Sequence, residues 1–286
     1  MRLSNSLLTA ALFLIFCFYV YAIVSDSTNA WILITEIGGE YAYVILFLIL
    51  YVFVDADLAV NALLITLASI SVNGFFKGFF KVPRPSGGRV VEEGYSFPSR
   101  HASTSSAFWG YIVSKYRSIF LVLLSTLIVV AVAHSRIALG VHVLADVCGG
   151  IALGVGLGIT YSVLQERRQA LTYYATLILG ILTSIIVGTL YYDSIMWKIL
   201  GLMLSITPYK LIASQAKNLN TSRPLVGAAC VLVSLTASTT ITILISSINE
   251  VTVVIKYLVV GISVVYLPLL TARVLNTLKI RNPLIN

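Results

Sequence analysis

The sequence predicts an all-α, polytopic membrane bundle of about ten transmembrane helices, and three observations carry that prediction. Of its 286 residues, 58% are hydrophobic and only 10% charged, and the mean hydropathy is +0.96, which excludes an ordinary soluble domain. Apolar runs of about 18 residues or more recur with few or no charges inside them, which is the length a helix needs to cross a bilayer. The breaks between these runs are short and polar, as connections between spans should be.

Taken in order, the runs place helices near 6–25, 38–54, 58–76, 101–114, 118–134, 141–164, 170–191, 194–212, 224–247 and 251–272. The first, Leu7 to Val24, has no small-residue cleavage site and is followed by further spans, so a retained helix is expected rather than a removed leader. Asp55 and Asp57 interrupt the second and third runs and predict a tight hairpin. The polar stretch Gln165 to Gln169 divides the chain into a six-helix module, residues 1–168, and a C-terminal four-helix region, residues 169–286. The second region has Gly and Ser at packing positions and no clustered ionisable residues within its spans. Cys17, Cys148 and Cys230 lie in apolar runs without metal-ligand spacing, and read as small core hydrophobes.

The net charge of +8 does not form a basic helix or stripe, so nucleic acid is not the expected partner. Membrane topology accounts for the charge better. With both termini cytoplasmic, the inner side receives Arg2, Lys115, Arg117, Arg167, Arg168, Lys210, Lys217, Arg223, Arg273, Lys279 and Arg281, as the positive-inside bias requires. Asp26, Glu36, Glu40, Glu92, Glu93, Asp193 and Glu250 fall outside. Lys77, Lys81, Arg84, Arg89, Arg100 and Arg136 also fall outside, against that bias, and so mark a functional cluster on the extracytosolic face.

These residues belong to a stretch from Lys77 to Asp146 that holds eight of the 19 Lys and Arg residues and all three histidines. Converging Arg and Lys side chains offer only donors and positive charge, which suits an anionic ligand; contact with lipid headgroups is the structural alternative. Pro83, Pro85, Gly87, Gly88 and Gly94 make residues 77–100 a turning loop that can fold back over the helix ends. Ser99 and His101 then open the fourth helix, whose free N–H groups favour an anion; Ser99 could equally serve as an N-cap. His142 and Asp146, four residues apart, share a face if helical, and an Asp on one ring nitrogen leaves the other free as base or nucleophile. A structural His–Asp pair is the alternative, though ionisable groups within a bilayer cost on the order of 2.5–3.5 kcal/mol and are functional candidates by default. His134 has no carboxylate at helical spacing and reads as structural. Two candidate histidines and converging cations, without a carboxylate or cysteine set suited to a metal, point to phosphoryl chemistry that needs no metal and no cofactor.

Lys77-x6-Arg84-Pro85, Pro98-Ser99-x-His101 and Ser135-Arg136-x5-His142-x3-Asp146 resemble, in order and spacing, the three-part signature of the type 2 phosphatidic acid phosphatase superfamily. The resemblance covers about residues 1–168, and the three motifs together are highly specific. It implies His142 as the nucleophile that takes the phosphoryl group, Asp146 as its orienting partner and His101 as the acid that protonates the leaving oxygen. It also implies Lys77, Arg84, Ser99 and Arg136 as the phosphate cradle. One residue departs from the pattern: Arg100 stands where the superfamily usually has Gly. Its expected role is either contact with a second phosphate or headgroup, or exposure to solvent.

The function this implies is removal of phosphate from a lipid monophosphate or diphosphate at the outer leaflet, with membrane lipids as surroundings. A polyprenyl or dolichyl carrier comes first and phosphatidate-like or sphingoid phosphates next. A sugar-phosphate phosphatase of the glucose-6-phosphatase type is the alternative within the enzyme class. A non-enzymatic transporter of anionic lipids is the alternative outside it, disfavoured because phosphate binding alone needs no oriented nucleophile. Haloperoxidase activity, known on soluble folds, fits the predicted spans poorly.

Overall fold

The computed structural model describes residues 5–116, 118–211, 224–246 and 248–281. Arg2, Arg117, Lys217 and Arg223, which entered the orientation argument, lie outside them. Every described element is helical: α1 (Asn5–Ser25), α2 (Thr28–Glu36), α3 (Glu40–Ile49), α4 (Ala56–Phe80), α5 (Arg100–Tyr116), α6 (Ile119–Ala138), α7 (Leu144–Arg167), α8 (Gln169–Leu190), α9 (Ile195–Ile206), α10 (Pro224–Leu244) and α11 (Glu250–Arg281). Seven of them, α1, α4, α6, α7, α8, α10 and α11, are long and apolar enough to cross a membrane. The second expected span is a pair instead: α2 and α3 are bent by 44° at a short break, with α3 running on through a π turn to Val54. The expected spans at 101–114 and 194–212 become α5, of 17 residues, and α9, of 12, and both fall short on length or composition. The apolar helices make this an integral membrane protein.

Local chemistry explains the boundaries. Asp55, in extended conformation, ends the π turn, and its carboxylate accepts the Leu58 N–H at 2.7 Å to start α4, so the predicted hairpin turns on one capping residue. Helix α4 runs past Lys77 to Phe80 and stops where Lys81 adopts a left-handed conformation, φ +51°. The loop predicted from Lys77 therefore begins one turn later, which leaves Lys77 on a helix rather than in a loop.

Helix α4 is the centre of the bundle: 83% of its apolar window is buried, against 11% for α1, and it touches α3, α5, α7, α8 and α9. Two glycine sites then draw the motif-bearing elements together. On α7, Gly150, Gly154 and Gly158 share one face against α5; a Cβ on them would lie 2.5 Å from the Ser99 carbonyl, 2.2 Å from the Ser103 carbonyl and 2.6 Å from the Ala107 carbonyl. Only hydrogen at these positions lets the two backbones meet. In the α6–α7 turn, Gly140 at φ +73° lies against Gly88, and Leu139 O accepts the Arg89 N–H at 2.8 Å. That contact lays the α4–α5 loop across the start of α7.

Charge is confined to the two ends of the bundle. Asp26–Arg89, Glu92–Arg84, Glu92–Arg136 and Asp193–Arg100 pair at one end, and Asp57–Lys210 and Glu166–Lys115 at the other.

Candidate active site

Asp146 is the third residue of α7, and its Oδ2 accepts the N–H of Val143, the extended residue that opens the helix, at 2.9 Å. The same oxygen stands 3.3 Å from His142 Nδ1. The sequence reading set both residues on one helical face; instead His142 lies in the turn before α7, and the carboxylate that caps the helix also reaches back to the imidazole. The expected contact forms by a different route, because a cap bond and a helical i,i+4 pair bring the same side chains within reach.

On the other side of the ring, Arg84 Nη1 lies 3.1 Å from His142 Nε2. A guanidinium has donors and no acceptor, so Nε2 must be the unprotonated nitrogen and Nδ1–H must point at Asp146. Burial, with help from Lys77, Arg84 and Arg136, pushes the His142 pKa well below its ordinary value. The imidazole is neutral, with its lone pair on the nitrogen that faces the cations.

The three expected cradle cations are brought together. Arg84 also donates to the Val141 and Glu93 carbonyls. Arg136, 3% exposed in the last turn of α6, donates to Thr35 Oγ1 at 3.0 Å. Lys77, 7% exposed, donates to the carbonyls of Tyr95 and Ser96 and so pins the loop over the helix end. Between them sits Glu92: its Oε2 is 2.7 Å from Arg84 Nη1, 2.6 Å from Arg136 Nη2 and 3.9 Å from His142 Nε2. Burial opposes the charge on Glu92, but Arg136, Arg84 and His101 outweigh it and hold its pKa below the ordinary carboxyl value.

Ser99 donates its backbone N–H to the Asp146 carbonyl at 2.9 Å, which ties the second motif to the third through main chain. Its hydroxyl is fully buried and has no hydrogen-bond partner among the described residues, so it does not take the N-cap role and keeps a donor to offer an anion. His101 occupies the first turn of α5, where burial and the nearby Arg136 push its pKa down to about 3.

Arg100 departs from both of its expected roles. It neither reaches the cradle nor points to solvent: Nη2 is 2.6 Å from Asp193 Oδ2, in the α8–α9 corner. Lys81 and Arg89 stay at the rim, both exposed, with Arg89 held by Asp26. His134 is structural as expected, accepting or donating at 2.8 Å to Tyr19 and stacked near Trp31.

Sequence reasoning missed Glu92, Thr35 and Asp193 as site neighbours. Each comes from a segment whose approach depends on the tertiary fold, and none sits in a motif. Among the described residues, no group of three or more His, Cys, Asp or Glu side chains could hold a metal ion.

The family model described as the PAP2 superfamily matches residues 58–170, a segment that contains Lys77, Arg84, Ser99, His101, Arg136, His142 and Asp146. No curated protein and no solved structure matches the chain.

Proposed function

From the premise that residues 58–170 belong to the PAP2 superfamily, a family of phosphatases, we propose that the chain is a lipid phosphate phosphatase. It acts at the extracytosolic face without a metal or cofactor, through a phosphohistidine on His142. Residues 1–168 form the phosphatase module in this reading and residues 169–286 its C-terminal helical region. The observation that carries the proposal is the position of Glu92: a carboxylate oxygen already rests on Arg84 and Arg136, 3.9 Å from the unprotonated Nε2 of His142. A phosphate oxygen fits that position with more charge to offer.

In the mechanism, a phosphate monoester displaces Glu92, and its oxygens take up Arg84, Arg136, Lys77 and the free Ser99 hydroxyl. Movement of Arg84 onto phosphate releases the Nε2 lone pair, which forms the N–P bond while the ester P–O bond breaks. Burial and Arg136 push the His101 pKa down to about 3, so its ring is neutral in the free site. It takes up a proton as the phosphate dianion enters and gives that proton to the leaving oxygen, while Asp146 stabilises the positive charge that grows on the His142 ring. His101, now neutral, takes a proton from water. The hydroxide that forms attacks phosphorus, breaks the N–P bond and releases inorganic phosphate. The membrane setting favours a lipid substrate, whose chain can stay between helices while its headgroup enters the charged end. Polyprenyl or dolichyl phosphates and diphosphates are the first choice, phosphatidate and sphingoid phosphates the next.

The test is phosphate release by purified protein in detergent with a chelator present, across lipid and sugar phosphates. Wild type is expected to release phosphate and trap an acid-labile phosphoprotein, and His142→Ala to do neither. Undiminished release by His142→Ala overturns the nucleophile, and a requirement for added divalent metal overturns the metal-free mechanism. Strong preference for a sugar phosphate overturns the lipid assignment.

A further inference from the structure

We propose that Asp193, a residue outside the matched superfamily segment, restricts the site to a single phosphate group by holding Arg100 away from the cradle. This deepens the phosphatase reading and rests on it. Arg100 sits between Ser99 and His101, and its charge is felt at Lys77, Arg84 and His101, so it is a further cation beside the cradle. Its partner is fixed. Asp193 Oδ2 takes the guanidinium at 2.6 Å, while Oδ1 accepts the Ile195 N–H at 3.1 Å at the start of α9. The two side chains are 22% and 24% exposed, so water screens the pair less than an open surface pair.

The corner that carries Asp193 is itself seated against the site. The Tyr191 ring covers Gly78, next to Lys77, so closely that a Cβ there would lie 2.1 Å from the ring. The C-terminal region therefore forms one wall of the charged end, and it presents a carboxylate where a second phosphate would arrive.

Charge matching decides the substrate class. Once Glu92 is displaced, Lys77, Arg84 and Arg136 face the first phosphate, and a monoester dianion takes up the contacts that Glu92 leaves. A diphosphate adds at least one more negative charge, and it finds Arg100 neutralised and the Asp193 carboxylate beside it. Desolvating that extra charge without a partner is costly. The diphosphate choice drawn from the sequence leaned on Arg100 as a spare cation, and in the structure that cation is engaged. A lipid monophosphate is the better fit.

The experiment compares kcat/KM for a polyprenyl phosphate and the polyprenyl diphosphate of the same chain length. Wild type, Asp193→Asn, Asp193→Glu, Arg100→Gln and the Asp193→Asn/Arg100→Gln double variant are assayed in detergent. Wild type is expected to prefer the monophosphate, and Asp193→Glu to keep that preference. Asp193→Asn is expected to raise the diphosphate-to-monophosphate ratio about tenfold, the equivalent of one good contact to a charged group. The double variant is expected to lose that gain, because the released Arg100 is what produces it. A ratio unmoved by Asp193→Asn, or a wild-type preference for diphosphate, overturns the proposal. So does a gain that persists undiminished in the double variant; the wild-type preference is read even if Asp193→Asn does not fold. A wild type that hydrolyses neither substrate overturns the phosphatase reading instead, so the two failures are told apart.

Discussion

The side chain that most constrains the chemistry is Arg84, because a donor-only group beside His142 Nε2 fixes which nitrogen carries the proton. The same guanidinium shares Glu92 with Arg136, and Glu92 therefore competes with any incoming anion. Replacing it by Gln removes the negative charge and leaves the shape, so Glu92→Gln is expected to lower KM for the preferred lipid phosphate by about tenfold, the scale of one charge-assisted contact. Steady-state kinetics across a pH series checks this, and the sign follows from the depressed pKa of Glu92. The carboxylate is ionised throughout neutral pH, so the gap between wild type and variant should hold there. It should close only on acidification below the ordinary carboxyl range, where wild type also carries a neutral side chain. Six of the eight site candidates were legible as residue types because Arg, Lys and His are rare in an apolar chain, and Ser99 and Asp146 by their spacing from His101 and His142. Glu92 was not, since a loop carboxylate is ordinary until the fold lays it on two arginines. The pairing of Arg100 with Asp193 was not legible because the partner lies 93 positions away.

Nine of the helices, α1 and α4 to α11, lie nearly in place on nine of the ten expected runs, since long apolar stretches between polar breaks leave little freedom in where a helix starts and stops. The exceptions have physical causes. Asp55 can cap α4 with no further linker, so the predicted second span ends on a π turn, and α2 forms ahead of it from residues that sequence patterning left in a loop. The seam between α5 and α7 was not legible at all, because glycine spacing on an apolar helix has many uses. Gly154→Ala is expected to force α5 away from α7, since the new Cβ would meet the Ser103 carbonyl and the Ser106 hydroxyl at 2.2 and 2.1 Å. Overpacking of that kind costs about 1–3 kcal/mol. Thermal unfolding and phosphate release should both fall, whereas Gly156→Ala, two residues on with nothing within 4 Å of its Cβ, should leave both near wild type.

At the scale of the whole molecule, the candidate site residues gather at one end of the bundle, and on the proposed extracytosolic side their positive charge would run against the usual cytoplasmic bias. The orientation is open to a direct test at Val91, 98% exposed in the α4–α5 loop. With Cys17, Cys148 and Cys230 replaced by Ala, Val91→Cys should react with an impermeant maleimide added to intact cells; reaction only after the inner face is opened reverses the assignment. The seam of α7 glycines has a further consequence at this scale. Ser99 and Asp146 are joined main chain to main chain, and the helices behind them touch backbone to backbone, so His142 and His101 ride on one stiff unit. A thinner or thicker lipid bilayer would tilt the outlying helices around that unit before it deformed the unit itself. Changes in lipid chain length should therefore alter how easily substrate enters, while the reacting groups keep their spacing.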